Sequence, residues 1–442
     1  MIFKRKIEAE LEKWRIAAKR KPLLLMGARQ VGKTTLLKYF GTKFFQRTAY
    51  FNFDENPDLC QFFRQTKNVK DIISNLSLVQ GFDIDNTNTL IVFDEIQECK
   101  EALNSLKYFY ENKPQLYIVG AGSLLGVTLG QGTSFPVGKV QFIDMYPLTY
   151  EEYLINEDPV LYDVYLSIFD KNKIEAIPEI FLNKFWNVFR MYFISGGMPE
   201  AVNELLETKN IQSTIAVLQN ILRSYKLDFS KHLNIKDVIK IQYIWDSIPS
   251  QLARENRKFL YRVIRTGARA REYESALLWL EQAGMILKVN RITKPNFPLS
   301  AYVDLTAFKI YVFDIGILRS MANLEPNILM EKSMLFTEFK GAMAENYIAQ
   351  SLVANNIKNI AYWTSSGKAE VDFLIQYQNN IIPVEVKSDL NVRSKSLSYY
   401  SKKYNPELMI RFSVRNLQKN GNLINIPLFL SDKLIEIIDM SL

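Results

Sequence analysis

The residues best suited to chemistry form a glycine-rich signature near the start of the chain. The segment from Gly27 to Thr34 reads GARQVGKT and follows the apolar run at 23–26. In such a loop, backbone N–H groups face the β-phosphate of a nucleotide, the lysine reaches the β- and γ-phosphate oxygens, and the threonine hydroxyl binds Mg²⁺. The pattern therefore predicts ATP and Mg²⁺ as cofactors. The positions expected to contact the nucleotide are Gly27, Ala28, Arg29, Gln30, Val31, Gly32, Lys33, Thr34 and Thr35.

Two carboxylates stand at the end of another apolar run, TLIVF at residues 89–93. A buried strand of this kind opens at its carboxyl end onto the ligand edge of a parallel sheet. There Asp94 would bind Mg²⁺, directly or through water, and Glu95 would polarise the attacking water. The alternative is a strand that ends in a solvated acidic turn. The phosphate-binding signature upstream favours ATP hydrolysis over that alternative.

Ser123 follows a third apolar run, at residues 115–119, after Gly-Ala-Gly. ATPases with an additional strand carry a polar sensor of the γ-phosphate at this place, which makes Ser123 a candidate for that role. A serine here would equally cap a helix that begins at Leu124. The two roles are compatible, and the sequence leaves both open.

A second group of charged residues lies near the C-terminal end. Residues 371–377 and 381–387 have the composition of strands, and the Gln-Asn-Asn between them is typical of a tight turn. A turn centred between residues 378 and 379 places Asp372 directly opposite Glu385. Because alternate residues of a strand share a face, one face then gathers two acids and a lysine.

That grouping is what a PD-(D/E)XK nuclease requires. Asp372 and Glu385 would hold Mg²⁺ against a scissile phosphate, and Lys387 would position or activate water. Glu345, on a predicted helix over 339–352, would supply a further metal ligand. The alternative is a surface salt bridge on one strand face. Both acids lie within apolar runs, however, where an unpaired carboxylate is costly.

The elements that must position these residues define an α/β fold class. The alternation of strands and helices near the start predicts a P-loop NTPase domain, AAA-like and of the additional-strand type. A helical stretch follows, and then two helices and a strand in the order of a winged-helix unit. The predicted domains are the P-loop ATPase domain at 1–150, a helical region at 151–234, a winged-helix-like region at 235–295, a connecting segment at 296–330 and a PD-(D/E)XK nuclease-like domain at 331–442.

The composition of the 442 residues excludes several classes of protein. With two cysteines and only one histidine, His232, the chain lacks material for disulfide frameworks, zinc hydrolases and histidine-based triads. No apolar run reaches the roughly 18 residues that span a bilayer. Glu8, Glu10 and Glu12 stand where a signal peptide needs apolar residues. These features predict a cytoplasmic protein that does not associate with a membrane.

The formal net charge of +8 favours an acidic partner such as DNA. Basic residues concentrate just before residue 272, where the sequence predicts helices. They would contact phosphates, form a solvated face, or supply an arginine to the nucleotide of a neighbouring subunit in a homo-oligomer. The sequence assigns no arginine finger, and Arg254 is one candidate among several. The cluster comprises Arg254, Arg257, Lys258, Arg262, Arg265, Arg269 and Arg271.

These pieces together resemble a prokaryotic family of AAA-like P-loop ATPases with a C-terminal domain of unknown function. The resemblance covers nearly the whole chain, and it rests on several motifs that occur in order. It implies an ATP-binding α/β domain, a winged-helix-like middle and a C-terminal domain similar to PD-(D/E)XK nucleases. The motifs are RKPLLLMGARQVGKTTLL from Arg20, TLIVFDEIQ from Thr89, SFPVGKVQFIDMYPLTYEEYL from Ser134, SGGMPEAV from Ser195, SYKLDFSKH from Ser224, and AEVDFLI with PVEVKS near the end.

The leading hypothesis is a Mg²⁺-dependent ATPase that acts as a switch or motor coupled to the nuclease-like domain and binds DNA. One alternative is a metal-dependent DNA nuclease gated by ATP. Another is a non-catalytic scaffold that senses nucleotide and binds a protein partner.

Overall fold

The computed structural model describes residues 1–85, 87–130, 136–169, 173–230, 235–254, 257–326, 338–357, 359–367, 369–388 and 395–442, the side chains of 128–130 and 338 excepted. The chain divides into two compact units. The first comprises Met1–Pro147 with Gln282–Gly284, and the second comprises Leu148–Glu281 with Met285–Leu442. His232 lies outside the described residues. Within the described part, no helix is long and apolar enough to cross a membrane.

The first unit is built on a parallel sheet in the order β2-β3-β4-β1-β5. The predicted additional strand is confirmed, because β4 lies between the P-loop strand β1 and the strand β3 that ends at Asp94. Since all pairs are parallel, the carboxyl ends of the strands lie along one edge of the sheet. The strands are β1 (Leu23–Met26), β2 (Arg47–Asn52), β3 (Thr89–Asp94), β4 (Tyr117–Ala121) and β5 (Gln141–Asp144).

Apolar packing fixes this sheet against helices. Every residue of β3 is buried, as expected for a strand covered on both faces. The rings of Phe53, Phe63 and Phe93 pack with centroids 5.6–5.8 Å apart, and burying each such side chain contributes roughly 1.5–3 kcal/mol. The helices of this unit are α1 (Ile7–Ile16), α2 (Lys33–Phe44), α3 (Cys60–Gln65), α4 (Val69–Gln80), α5 (Lys100–Asn112) and α6 (Leu125–Gly130).

The second unit begins with helices. The first of them begins with a capping box, in which the Thr149 hydroxyl accepts a hydrogen bond from the backbone N–H of Glu152 and the Glu152 carboxylate accepts one from the backbone N–H of Thr149. The helices are α7 (Tyr150–Glu157), α8 (Pro159–Ser167), α9 (Glu179–Ser195), α10 (Pro199–Thr208), α11 (Ile211–Asp228), α12 (Ile235–Leu252), α13 (Tyr261–Ile264), α14 (Ala270–Gln282), α15 (Ile315–Met321), α16 (Glu338–Ala354), α17 (Lys395–Tyr404) and α18 (Leu434–Asp439).

A mixed sheet completes the second unit, in the order β12-β13-β11-β10-β9-β8-β6-β7. The segment 296–330, predicted as a connection, contains the ten-residue strand β7. Because β6 pairs in parallel with β8, the strands before and after that segment belong to one sheet. The strands are β6 (Ile286–Ile292), β7 (Val303–Val312), β8 (Ala361–Thr364), β9 (Glu370–Tyr377), β10 (Asn380–Val386), β11 (Met409–Ser413), β12 (Gln418–Asn420) and β13 (Leu423–Pro427).

Candidate functional site

The glycines of the P-loop adopt conformations that other residues would not tolerate. Gly27, directly after β1, has a φ of 144°, and a Cβ there would lie 2.1 Å from the backbone oxygen of Met145. Gly32 has a φ of 97° and forms the N-cap of α2. The chain therefore turns tightly from strand to helix, which is the geometry that directs backbone N–H groups at a phosphate.

Lys33 occupies the centre of this loop. Its ammonium donates hydrogen bonds of 2.8 Å to the carbonyls of Gly27 and Ala28. Burial lowers the pKa of Lys33 to about 8, against the opposing effects of Glu95 and Asp94. The cation is thus held where the phosphates of a nucleotide would be expected in such a loop.

Asp94 and Thr34 meet at the carboxyl end of β3. The Thr34 hydroxyl donates a 2.6 Å hydrogen bond to Oδ2 of Asp94, and the Tyr50 hydroxyl donates one of 2.7 Å to the same oxygen. Oxygen ligands of this kind suit Mg²⁺. Thr34 and Asp94, the two residues predicted to hold Mg²⁺, are in contact, so their oxygens fit the binding of this ion. The contact of Tyr50 with Asp94 was not predicted from the sequence, because it depends on the pairing of β2 with β3.

Glu95 is restrained by a neighbour two positions along the chain. Its backbone has a φ of 48°, and its Oε2 accepts a 2.6 Å hydrogen bond from the amide of Gln97. Gln97 is buried, and a Cβ at Gly122 would lie 2.0 Å from its Oε1. The amide therefore lies between the ends of β3 and β4. Sequence reasoning missed Gln97, although its position in DEIQ was a local signal.

Ser123 lies at the same edge of the sheet, just past β4. It is buried, and its hydroxyl accepts a 3.1 Å hydrogen bond from Nε of Arg29 in the P-loop. The predicted sensor thus contacts a P-loop side chain. The first unit accordingly brings together every side chain that the sequence assigned to ATP hydrolysis.

The hairpin of β9 and β10 has the predicted register. Val384 pairs with Phe373 and Asn380 pairs with Tyr377. The same register places Glu385 opposite Asp372. Oδ2 of Asp372 accepts a 2.8 Å hydrogen bond from the backbone N–H of Val386. Burial raises the pKa of Asp372 to about 7, and the charges of Glu345 and Glu385 add to that effect.

Glu385 has basic neighbours. Its carboxylate lies 3.1 Å from the ammonium of Lys387 and 3.8 Å from Nε of Arg411. The acid and the lysine on this strand face therefore form an ion pair, as in the alternative to a metal site. Arg411 on β11 was not anticipated, because its contact depends on the pairing of β10 with β11.

Glu345 also has protein partners. Its carboxylate pairs with the fully buried ammonium of Lys309 at 2.9 Å and with the guanidinium of Arg257, and it accepts a hydrogen bond from Tyr311. Lys309 contacts Glu370 at 2.5 Å as well. Although burial alone would raise the pKa of Glu345, Arg257 and Lys309 hold it at about 2.

Two protein cations thus lie beside the acid that sequence reasoning assigned to a second metal. Among the described residues, no group of three or more His, Cys, Asp or Glu side chains is arranged to hold a metal ion. Metal binding by Glu345, Asp372 and Glu385 would require these cations to move, because they already satisfy the Glu345 carboxylate.

The basic stretch before residue 272 divides by exposure. Arg257 and Lys258 are half-buried, and the other members are exposed. Those exposed side chains surround α13 and the start of α14. They are Arg254, Arg262, Arg265, Arg269 and Arg271.

Three family models match parts of the chain. Residues 19–154 match a model described as an AAA domain, residues 187–328 match a domain of unknown function (DUF8612), and residues 340–429 match another domain of unknown function (DUF4143). The first match agrees with the P-loop and the strand order, so the N-terminal part of the chain carries an AAA-like P-loop ATPase domain. The other two models state no activity.

Several solved structures are similar to this chain at low identity. A Walker-type ATPase of Pyrococcus abyssi has a TM-score of 0.46 at 16% identity, over 73% of this chain and 96% of that one. The ORC1 protein of Aeropyrum pernix in complex with DNA has a TM-score of 0.30 at 12% identity, over 73% and 93%. Drosophila ORC bound to DNA has a TM-score of 0.27 at 14% identity, over 72% and 95%. No curated protein matches the chain.

Proposed function

We propose that this protein hydrolyses MgATP and that hydrolysis acts as a switch or motor for its second unit. The observation that carries the proposal is the hydrogen bond of 2.6 Å between Thr34 and Asp94, with Glu95 next in the chain. It joins the phosphate-binding loop to the acidic strand end at one edge of the sheet.

Each residue has a role in this reaction. The backbone of residues 27–35 and the ammonium of Lys33 bind the phosphates, and Thr34 and Asp94 hold the Mg²⁺ of the substrate. Glu95 takes a proton from the attacking water while the oxygen of that water bonds to the γ-phosphorus. The bond from that phosphorus to the β–γ bridging oxygen breaks, and ADP and inorganic phosphate leave.

DNA is the partner that the charge distribution favours. Five arginines of the second unit are exposed around α13 and α14, and several clustered cations bind phosphates by releasing counterions. We expect duplex DNA to raise the rate of ATP turnover, and this stimulation to fall steeply between about 50 and 200 mM salt.

The proposal is tested by measuring phosphate release from ATP with Mg²⁺ or with EDTA, and with or without DNA. Turnover that requires Mg²⁺ supports hydrolysis. Tight ATP binding without turnover under every condition would instead favour the nucleotide-sensing scaffold. Stimulation that is unchanged in a variant carrying Arg262→Ala, Arg265→Ala and Arg269→Ala would contradict a DNA contact at this cluster.

A second candidate function is DNA cleavage by the C-terminal part of the chain. It is favoured by the hairpin register, which sets Asp372 opposite Glu385 with Lys387 paired to Glu385. Cleavage of duplex or single-stranded DNA would require Mg²⁺ or Mn²⁺ and displacement of Arg257 and Lys309 from Glu345. We expect the Asp372→Ala variant to lose at least about 100-fold in cleavage rate, because losing a ligand of the catalytic metal forfeits several kcal/mol of transition-state stabilisation.

The nuclease assay has a matched control in the same hairpin. Gln378→Ala alters its turn, away from the acids, and should cleave like the parent. Equal cleavage by the parent and the Asp372→Ala variant, with ATP present, would indicate a nuclease-like fold used for binding.

A further inference from the structure

Hydrolysis of ATP needs positive charge at the γ-phosphate beyond the P-loop lysine. Many phosphoryl-transfer enzymes supply it with an arginine, either from the same chain or from a partner. The sequence assigns no such residue. The P-loop itself, however, contains an arginine, Arg29, which lies between Ala28 and Gln30.

The position of Arg29 is fixed by the structure. Its Nε donates a 3.1 Å hydrogen bond to the hydroxyl of Ser123, which is only 4% exposed. Ser123 follows β4, the strand between the P-loop strand and the strand of Asp94. A guanidinium has five N–H donors, and this bond engages the one on Nε. Arg29 is therefore half-buried and anchored at the ligand edge of the sheet.

The surroundings of Arg29 favour an anion. Arg29 and Lys33 place two cations in one loop. The carbonyls of Gly27 and Ala28 hold the Lys33 ammonium at 2.8 Å, and the Ser123 hydroxyl holds the Arg29 guanidinium at 3.1 Å. A bound triphosphate would be attracted to both groups.

We infer that Arg29 is a catalytic residue that contacts the γ-phosphate of ATP bound in the same subunit, and that Ser123 is its positioning residue. The inference rests on the proposed ATP hydrolysis. As the bond to the leaving oxygen breaks, negative charge grows on the bridging and γ-phosphate oxygens, and a guanidinium bound there stabilises that charge. Ser123, predicted as a sensor, would then respond to the γ-phosphate through Arg29.

The first test separates catalysis from binding. We expect Arg29→Ala to lose about 1,000-fold in kcat, while its affinity for ATP, measured with a fluorescent analogue, changes by less than about tenfold. Arg29→Lys keeps the charge without the planar fork, so it should bind ATP and still lose most of its kcat. Arg64→Ala, which removes an exposed arginine of the same unit, is the matched control and should resemble the parent.

The positioning role of Ser123 has its own readout. Ser123→Ala should lower kcat about tenfold, and Ser123→Thr, which keeps the hydroxyl, should restore it. Equal losses in the two variants would overturn this role.

A mixing experiment decides whether Arg29 acts within its own subunit. Lys33→Ala protein, which keeps Arg29 but cannot hold the phosphates, is mixed in excess with Arg29→Ala protein. No recovery of turnover supports action in cis, and recovery would overturn it.

If the parent hydrolyses ATP but Arg29→Ala retains more than a tenth of its kcat, only this inference fails. Parallel loss of ATP binding and kcat in both Arg29 variants would also overturn it, by showing a role in loop structure. A parent that binds but does not hydrolyse ATP would overturn the proposed function as well.

Discussion

Replacing Glu95 by glutamine is expected to stop ATP turnover while ATP remains bound. A positioned general base contributes about 100- to 10,000-fold to a rate, and the glutamine amide cannot accept the proton of the attacking water. Its carbonyl oxygen can still accept the hydrogen bond that Gln97 now donates to Glu95 at 2.6 Å. The local structure should therefore persist, and kcat should fall by at least about 100-fold. Single-turnover hydrolysis and equilibrium ATP binding measure the two effects separately.

Two further variants complete this comparison. Lys33→Ala should lose both binding and turnover, because the ammonium that occupies the loop is removed. Glu98→Gln changes an exposed acid three positions beyond Glu95 and should behave like the parent. Turnover by Glu95→Gln within tenfold of the parent would assign the base to another residue.

The ATPase site was predictable because its residues are close in sequence or follow strands of one parallel sheet. Asp94 had to meet Thr34 once β1 and β3 lay in the same sheet, since their carboxyl ends share an edge. The register of Asp372 and Glu385 was predictable for a similar reason, because a tight turn fixes every pair in a hairpin.

Partners that are distant in sequence were not predictable. Lys309 and Glu345 are neighbours only because β7 and α16 pack in one unit, and nothing local to either residue indicates the other. A buried lysine is costly unless an acid pairs with it, and the residues around Lys309 do not indicate which acid that is. The contact of Tyr50 with Asp94 likewise depends on the pairing of β2 with β3.

The motif SGGMPEAV also lacked a chemical explanation until its surroundings were known. Gly316 lies against the Ser195–Gly197 backbone, where a Cβ on Gly316 would be 2.5 Å from the carbonyl oxygen of Ser195. A Cβ on Gly197 would lie 2.1 Å from the carbonyl oxygen of Leu148. Each glycine permits two chain segments to touch through their backbones, which is a tertiary requirement and leaves no periodic signal.

This contact gives the second large effect. Gly316→Ala is expected to destabilise the second unit by about 3 kcal/mol, because the added methyl meets backbone atoms that cannot move aside. Gly367→Ala is a matched control, since the nearest atom to a Cβ there is 3.6 Å away, and it should unfold like the parent. Urea unfolding followed by circular dichroism measures both.

Asp314 joins the same two segments and makes the effect depend on pH. Its carboxylate accepts hydrogen bonds from the backbone N–H groups of Gly197 at 2.6 Å and Ile317 at 3.0 Å. Burial nevertheless raises the pKa of Asp314 from 3.8 to about 6. Because the folded state holds this proton more tightly than the unfolded state, the stability that Asp314 contributes is complete below about pH 4 and is lost as the pH rises through 6.

The free energy of unfolding of the parent should therefore fall by about 3 kcal/mol between pH 4 and 7 relative to Asp314→Asn, which does not titrate. If the two proteins respond identically to pH while Gly316→Ala unfolds like the parent, this junction does not stabilise the second unit.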